Sequence, residues 1–121
     1  MKMIPKKLCL ALDLKDDPEL IDAYKAYHAP GSVWPEIIES IRSAGIEDME
    51  IYLTGNRLFM IMEVDESFDP DKKARADAEN PKVQDWENLM WKFQQALPWA
   101  KAGEKWVPME RIFKLKNHFQ E

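Results

Sequence analysis

Leucine occupies every second position from Leu8 to Leu14. A period of two is that of a β-strand with one buried face, so residues 7–14 are predicted to form a strand. Asp16-Asp17-Pro18 then changes the pattern. Asp17 suits a helix N-cap and Pro18 the first helical position. Leu20, Ile21, Tyr24 and Tyr27 follow at helical spacing, up to His28. Ala29-Pro30-Gly31-Ser32 breaks this helix. A second helix is predicted from Trp34-Pro35-Glu36 through Ile37, Ile38 and Ile41, with Gly45 at its end.

Two alternating strands come next, Glu47 to Leu53 and Arg57 to Val64, with Gly55-Asn56 as a hairpin signal between them. Each has one nearly all-apolar face (Met49, Ile51, Leu53; Leu58, Met60, Met62, Val64). The other faces are mixed (Asp48, Glu50, Tyr52; Arg57, Phe59, Ile61, Glu63). A mixed face fits either the wall of a partly polar cavity or a solvated surface with a few hydrophobic residues. Asp65 to Asn80 is acidic, with Phe68 as its only bulky apolar residue, and reads as a loop with a loose helix. Asn80-Pro81 restarts a firm helix that carries Val83, Trp86, Leu89, Met90 and Phe93, and Leu97-Pro98-Trp99 stops it. Lys101 to Lys105 is a polar loop, Trp106 to Leu115 reads as the last strand, and a polar tail follows.

Strand, helix pair, strand, strand, helix, strand is the βαββαβ order of a ferredoxin-like α+β fold. Its helices cover one sheet face. Pairing two such sheets into a dimeric α/β barrel would cover the other, so a homodimer is expected.

The 121 residues suit one domain, 1–121 with a core near 7–115, against a usual domain size of roughly 100–150 residues. A net charge of −5 argues against nucleic acid and against an anionic membrane surface. The longest apolar runs fall well short of the ~18 residues of a membrane span. Leu8 to Leu12 is too short for a signal-peptide core. The lone Cys9 cannot close an internal disulfide and fits a small core residue on a strand. A reducing cytoplasm is the expected location. No motif for a metal or an organic cofactor is present, and none is expected.

The chemistry concentrates at His28. Tyr24 lies one helical turn before it, on the same face, and Trp34 lies close behind. An ordinary histidine titrates near pH ~6.5 and can give or take a proton at neutrality. Aromatic faces beside it suit an uncharged, partly apolar ligand such as a sugar. The same histidine could instead cap helix carbonyls or meet the helix dipole. Trp86 could be a stacking platform or core filling, since it is in phase with Leu89, Met90 and Phe93. Trp34 could contact ligand or staple a helix start. Glu36 suits the helix dipole, Arg111 could donate to a sugar hydroxyl or form an ion pair or a dimer contact, and His118 lies in the tail.

Several segments together carry a family resemblance. They are Tyr24 with His28, Trp34-Pro35-Glu36, Glu50-Ile51-Tyr52-Leu53, Arg57 to Glu63, Gln84 with Trp86, and Met109 to Leu115. In this order and spacing the chain resembles the L-rhamnose mutarotase family and its L-fucose mutarotase relatives over about residues 7–115. The resemblance implies a small dimeric α/β barrel that interconverts the α and β anomers of a 6-deoxyhexose. It implies His28 as proton donor, with Tyr24 and Trp86 binding sugar. The chain departs from the rhamnose pattern at three places. The link Ala29 to Val33 is longer than the Asn-Pro-Ile of rhamnose-type members. Met49 stands where they place a sugar-contacting tyrosine, and Trp86-Glu87 where they have paired tryptophans. Asp48-Met49-Glu50-Ile51-Tyr52 looks more like the fucose-type branch.

Mutarotation needs one proton placed on the ring oxygen and one removed from the anomeric hydroxyl. The ring opens to an aldehyde, the C1–C2 bond turns, and the ring recloses. A positioned acid and base contribute typically ~10²–10⁴-fold. On this reading His28 is the acid, Tyr24 orients the sugar or relays a proton, and Glu50 or a bound water is the partner base. The substrate-binding set is then Tyr24, Trp86, Trp34, Glu50 and Met49. Two other functions fit the same fold: a binding module without chemistry, and a barrel monooxygenase or decyclase for apolar ligands.

Overall fold

Among the described residues, three of the four α-helices begin on an Asx-Pro pair, and in each the side chain caps the helix it precedes. The computed structural model describes residues 6–118. Asp17 Oδ1 accepts from the backbone N–H of Glu19 (2.9 Å) and Leu20 (3.2 Å). Asp69 does the same for Asp71 and Lys72, and Asn80 for Lys82 and Val83. Each cap satisfies donors that would otherwise lack a partner at a helix start. The elements are β1 Lys6–Leu14, α1 Pro18–Tyr27, α2 Pro35–Ser43, β2 Ile46–Thr54, β3 Arg57–Val64, α3 Pro70–Ala78, α4 Pro81–Trp91, β4 Gln94–Gln95 and β5 Val107–Pro108. A short 3₁₀ turn, Leu115–His118, ends the described chain.

The sheet order is β2-β3-β1-β4, antiparallel throughout, with β5 also paired to β1. This is the ferredoxin-like arrangement expected from the element order. Thr54 faces Arg57 across Gly55-Asn56. Gly55 takes φ 58°, where a two-residue type II′ turn wants glycine. Asn56 Nδ2 then donates to the Leu14 carbonyl (2.9 Å), tying the hairpin to β1. At the end of α2, Gly45 has φ 94°, and a Cβ there would lie 2.6 Å from both Asp65 Oδ1 and Ser67 Oγ. Only glycine suits that turn.

One sheet face carries Leu12, Leu14, Leu58, Met60, Met62 and Val64, all buried beneath the helices. The other carries Cys9, Ala11, Asp13, Arg57, Phe59, Ile61, Glu50 and Tyr52, as the registers require. Asp13, only 3% exposed on this face, is held by Arg57, whose Nε donates to Oδ1 at 2.7 Å. Tyr52 is exposed.

Two expectations need correction. Residues 65–80 contain a well-capped helix, α3, closed by a Lys73–Asp77 ion pair at 2.7 Å. It buries none of its residues, so it left no apolar period to read. The last strand is not Trp106–Leu115 but only Val107–Pro108, extended by one bond from Met109 N–H to the Cys9 carbonyl (2.8 Å). Gln94–Gln95 already pairs with the end of β1 at Asp13 and Leu14. Beyond Met109 the chain leaves the sheet, with Ile112, Phe113 and Leu115 exposed. Residues 1–5 and 119–121 of the single domain lie outside the described residues. Among the described residues no helix is long and apolar enough to cross a membrane.

Candidate active site

A cavity of about 650 Å³ lies between the helices and the apolar sheet face. Its walls include Tyr24, His28, Trp86, Gln94, Met49 and Met60. A groove of about 680 Å³ runs between α2 and α3, but it has no aromatic face and no histidine. Among the described residues no group of three or more His, Cys, Asp or Glu is placed to hold a metal ion.

His28 is the residue that ends α1. Its backbone leaves the helical region there, and its ring turns back onto the last turn. Nδ1 lies 2.8 Å from the Tyr24 carbonyl oxygen. A carbonyl only accepts, so Nδ1 carries the hydrogen and Nε2 keeps its lone pair. Capping therefore fixes the tautomer. The ring sits 4.3 Å from the Tyr24 ring and 5.7 Å from the Trp86 ring, centroid to centroid. Burial among these groups pushes the His28 pKa below its usual 6.5, and the bond to the Tyr24 carbonyl only partly opposes this. At neutral pH the imidazole is uncharged.

Tyr24 is buried on the inner face of α1. Gln94 Nε2 donates to its phenolic oxygen at 3.2 Å. Burial pushes the Tyr24 pKa up to about 12 against the lowering effect of the Gln94 bond, with the negative charge of Glu87 adding to the rise. The phenol keeps its proton across the working range. Because its oxygen accepts from Gln94, its own O–H remains to donate elsewhere.

Trp86 projects from α4 between Val83 and Met90, which share its buried stripe. It meets Trp34 edge-on at 5.1 Å and Tyr27 at 6.3 Å. Core filling and a cavity wall are thus one role here. Trp34 does not line the cavity; it packs on Trp86, and Lys82 Nζ lies 5.9 Å above its ring. Met49, half-buried on β2, does line the cavity.

Glu50 does not join this group. It follows Met49 on a strand, so it points to the opposite face, where it pairs in register with Ile61 and stands exposed. The cavity also lies on the apolar sheet face and not on the mixed one. Gln94 carries no signal in the sequence. It sits just past a helix end, outside any period, and only the β4 pairing with Leu14 shows which way it is set.

A family model described as L-rhamnose mutarotase matches residues 7–115. An L-fucose mutarotase of Xanthomonas campestris is 50% identical over 115 residues, covering 95% of this chain and 92% of that protein. A UPF0734 protein of Dictyostelium discoideum is 43% identical over 114 residues, covering 91% and 90%. The crystal structure of an L-rhamnose mutarotase from Formosa agariphila superposes with a TM-score of 0.66 at 23% identity, covering 91% of this chain and 98% of that one. Tetracenomycin F2 cyclase of Streptomyces glaucescens gives 0.57 at 12% identity, covering 90% and 97%. The two structures show a shared fold. The family model and the 50% identical relative show the rest: the chain belongs to the L-rhamnose mutarotase family, and it is an isomerase of the mutarotase class.

Proposed function

We propose that this protein is a cofactor-free mutarotase for a 6-deoxy-L-hexose, L-fucose first and L-rhamnose next, with His28 as its proton carrier. The observation that carries the proposal is a neutral imidazole whose Nδ1 is tied to the Tyr24 carbonyl, in a cavity walled by aromatic rings. Nε2 takes the proton from the anomeric hydroxyl. The C1–O5 bond breaks, its electron pair stays on O5, and C1–O1 becomes the aldehyde carbonyl. The imidazolium then protonates O5. Both oxygens are bonded to C1, so one nitrogen can serve both in turn. Rotation about C1–C2 and the reverse steps give the other anomer. His28 is thus a base before it is an acid, because its lowered pKa makes it start uncharged. This replaces the need for a carboxylate partner such as Glu50. Tyr24 donates its O–H to the sugar, and Trp86 packs on an apolar sugar face. Buried apolar groups such as the C6 methyl add roughly 0.8 kcal/mol each.

L-fucose is favoured on the name of the 50% identical relative and on Met49 in the wall. Saturation-transfer spectroscopy on L-fucose, L-rhamnose, D-galactose and D-glucose at one protein concentration tests the order. A 6-deoxy-L-sugar is expected to exchange fastest. Equal acceleration of all four would defeat the pocket reading.

Exposed Tyr52 and half-buried Phe59 and Ile61 on the mixed sheet face, with the exposed apolar segment after β5, support a homodimer in which a second copy covers both. Sedimentation is expected to give twice the 14.2 kDa chain mass; a monomer at micromolar concentration would refute it. A reducing cytoplasm fits the single free Cys9, and cell fractionation decides it.

A further inference from the structure

The side chain of Gln94 is nearly the only polar group buried among the described residues besides the ion-paired Asp13, and it is half satisfied. It is 5% exposed and lines the cavity. Its Nε2 donates to Tyr24 Oη at 3.2 Å. Its Oε1 is shut from solvent and has no hydrogen-bond partner. Leaving a buried acceptor unmatched is unfavourable, and native proteins rarely do so without a reason. The backbone offers no slack, because Gln94 is paired with Leu14 and the neighbouring Phe93 carbonyl accepts from Lys15 N–H at 2.9 Å. The last torsion of a glutamine is soft, however. The amide oxygen can therefore turn toward the cavity that this residue lines.

We infer that Gln94 is a specificity-determining residue: its amide oxygen accepts a hydrogen bond from one ring hydroxyl of the bound sugar, while its amide nitrogen holds Tyr24. The inference rests on the mutarotase reading for the class of ligand, a polyhydroxylated ring. A hydroxyl has a hydrogen to give, and it supplies what Oε1 lacks. A site built to bond a hydroxyl discriminates against the analogue without it, because the analogue leaves the buried group unmatched.

The test couples the side chain to the substrate. L-fucose and its 2-, 3- and 4-monodeoxy analogues are compared on wild type, Gln94→Met and Gln94→Glu, by anomer exchange and by calorimetric binding. Wild type is expected to prefer L-fucose over one of the analogues by about 10-fold or more, and Gln94→Met to shrink that preference to about 2-fold or less. Gln94→Met keeps the chain length and removes the unmatched oxygen, so it is expected to fold. Gln94→Glu keeps an acceptor and is expected to keep most of the preference. Equal losses on all four sugars in Gln94→Met would reduce Gln94 to a structural role and overturn the inference, as would an undiminished preference. Failure of wild type to speed exchange would reject the mutarotase reading, and the binding arm would still decide Gln94. No binding of any of the four sugars would reject both.

Discussion

His28→Ala is expected to bring anomer exchange of L-fucose down by about 10²–10⁴-fold, close to the rate in buffer, with the fold intact. The size follows from what this protein supplies. No metal and no covalent intermediate enters the proposed steps, so proton transfer accounts for most of the acceleration. Tyr24, whose ring lies 4.3 Å from that of His28, holds its proton too tightly to replace it, with its pKa at about 12. Stability changes little, because His28 is half-buried and its lost bond to the Tyr24 carbonyl lies at the last turn of the helix, where the backbone caps at Ala26 and Lys25 remain. Exchange spectroscopy and circular dichroism on one sample separate the two effects. Full exchange activity in a folded His28→Ala would remove the imidazole from the mechanism. His28→Asn is the matching control. It can restore the cap through its amide but not the proton transfer, so it is expected to be equally slow.

The largest effect on stability is expected from Trp86→Ala, about 3–5 kcal/mol. Trp86 is 7% exposed and touches Tyr27, His28 and Trp34, which come from α1 and from the start of α2. Removing the indole leaves a void beneath two helices at once. For a domain whose total stability is roughly 5–15 kcal/mol, that is a large part of the whole. Trp86→Phe keeps a ring there and is expected to lose much less stability. Thermal denaturation reads both variants. In Trp86→Phe the KM for L-fucose is expected to rise more than kcat falls, because the indole serves binding of the sugar and not proton transfer. A Trp86→Ala protein as stable as wild type would contradict the packing described for α4.

The strands and the firm helices were legible because each buries one face, which leaves a period in the sequence. Leu8 to Leu14, Met49 to Leu53 and Leu58 to Val64 all point their apolar sets at the same layer. Asp17-Pro18 and Asn80-Pro81 marked helix starts by known cap chemistry. Helix α3 was harder, because it touches its neighbours without burying a side chain. Its Asp69-Pro70 cap was present in the sequence and was the clue to use. The end of the chain departs from its sequence pattern for a different reason. Met109 to Leu115 has strand character, but a strand needs an edge to pair with, and the edge of β1 is shared with Gln94–Gln95.

At the site, spacing brought Tyr24 and His28 together because they are one helical turn apart. Met49 and Glu50 are both candidate sugar contacts in the sequence, yet neighbours on a strand cannot share a face, and the cavity lies on the face of Met49 with Ile51 and Met60. Gln94 could not be found by pattern. Its role depends on a pairing with a residue 80 positions earlier, Leu14, and on a bond to Tyr24.

The pH dependence of L-fucose exchange by the wild-type protein puts the central claim to its sharpest test. In the free enzyme His28 must be uncharged to accept the first proton, and burial holds its pKa below 6.5. The acceleration, read as kcat/KM, is therefore expected to stand on a plateau through neutrality and to fall along a single acidic limb centred below pH ~6.5. An acceleration that grows toward acid, or a limb centred above neutrality, would contradict it.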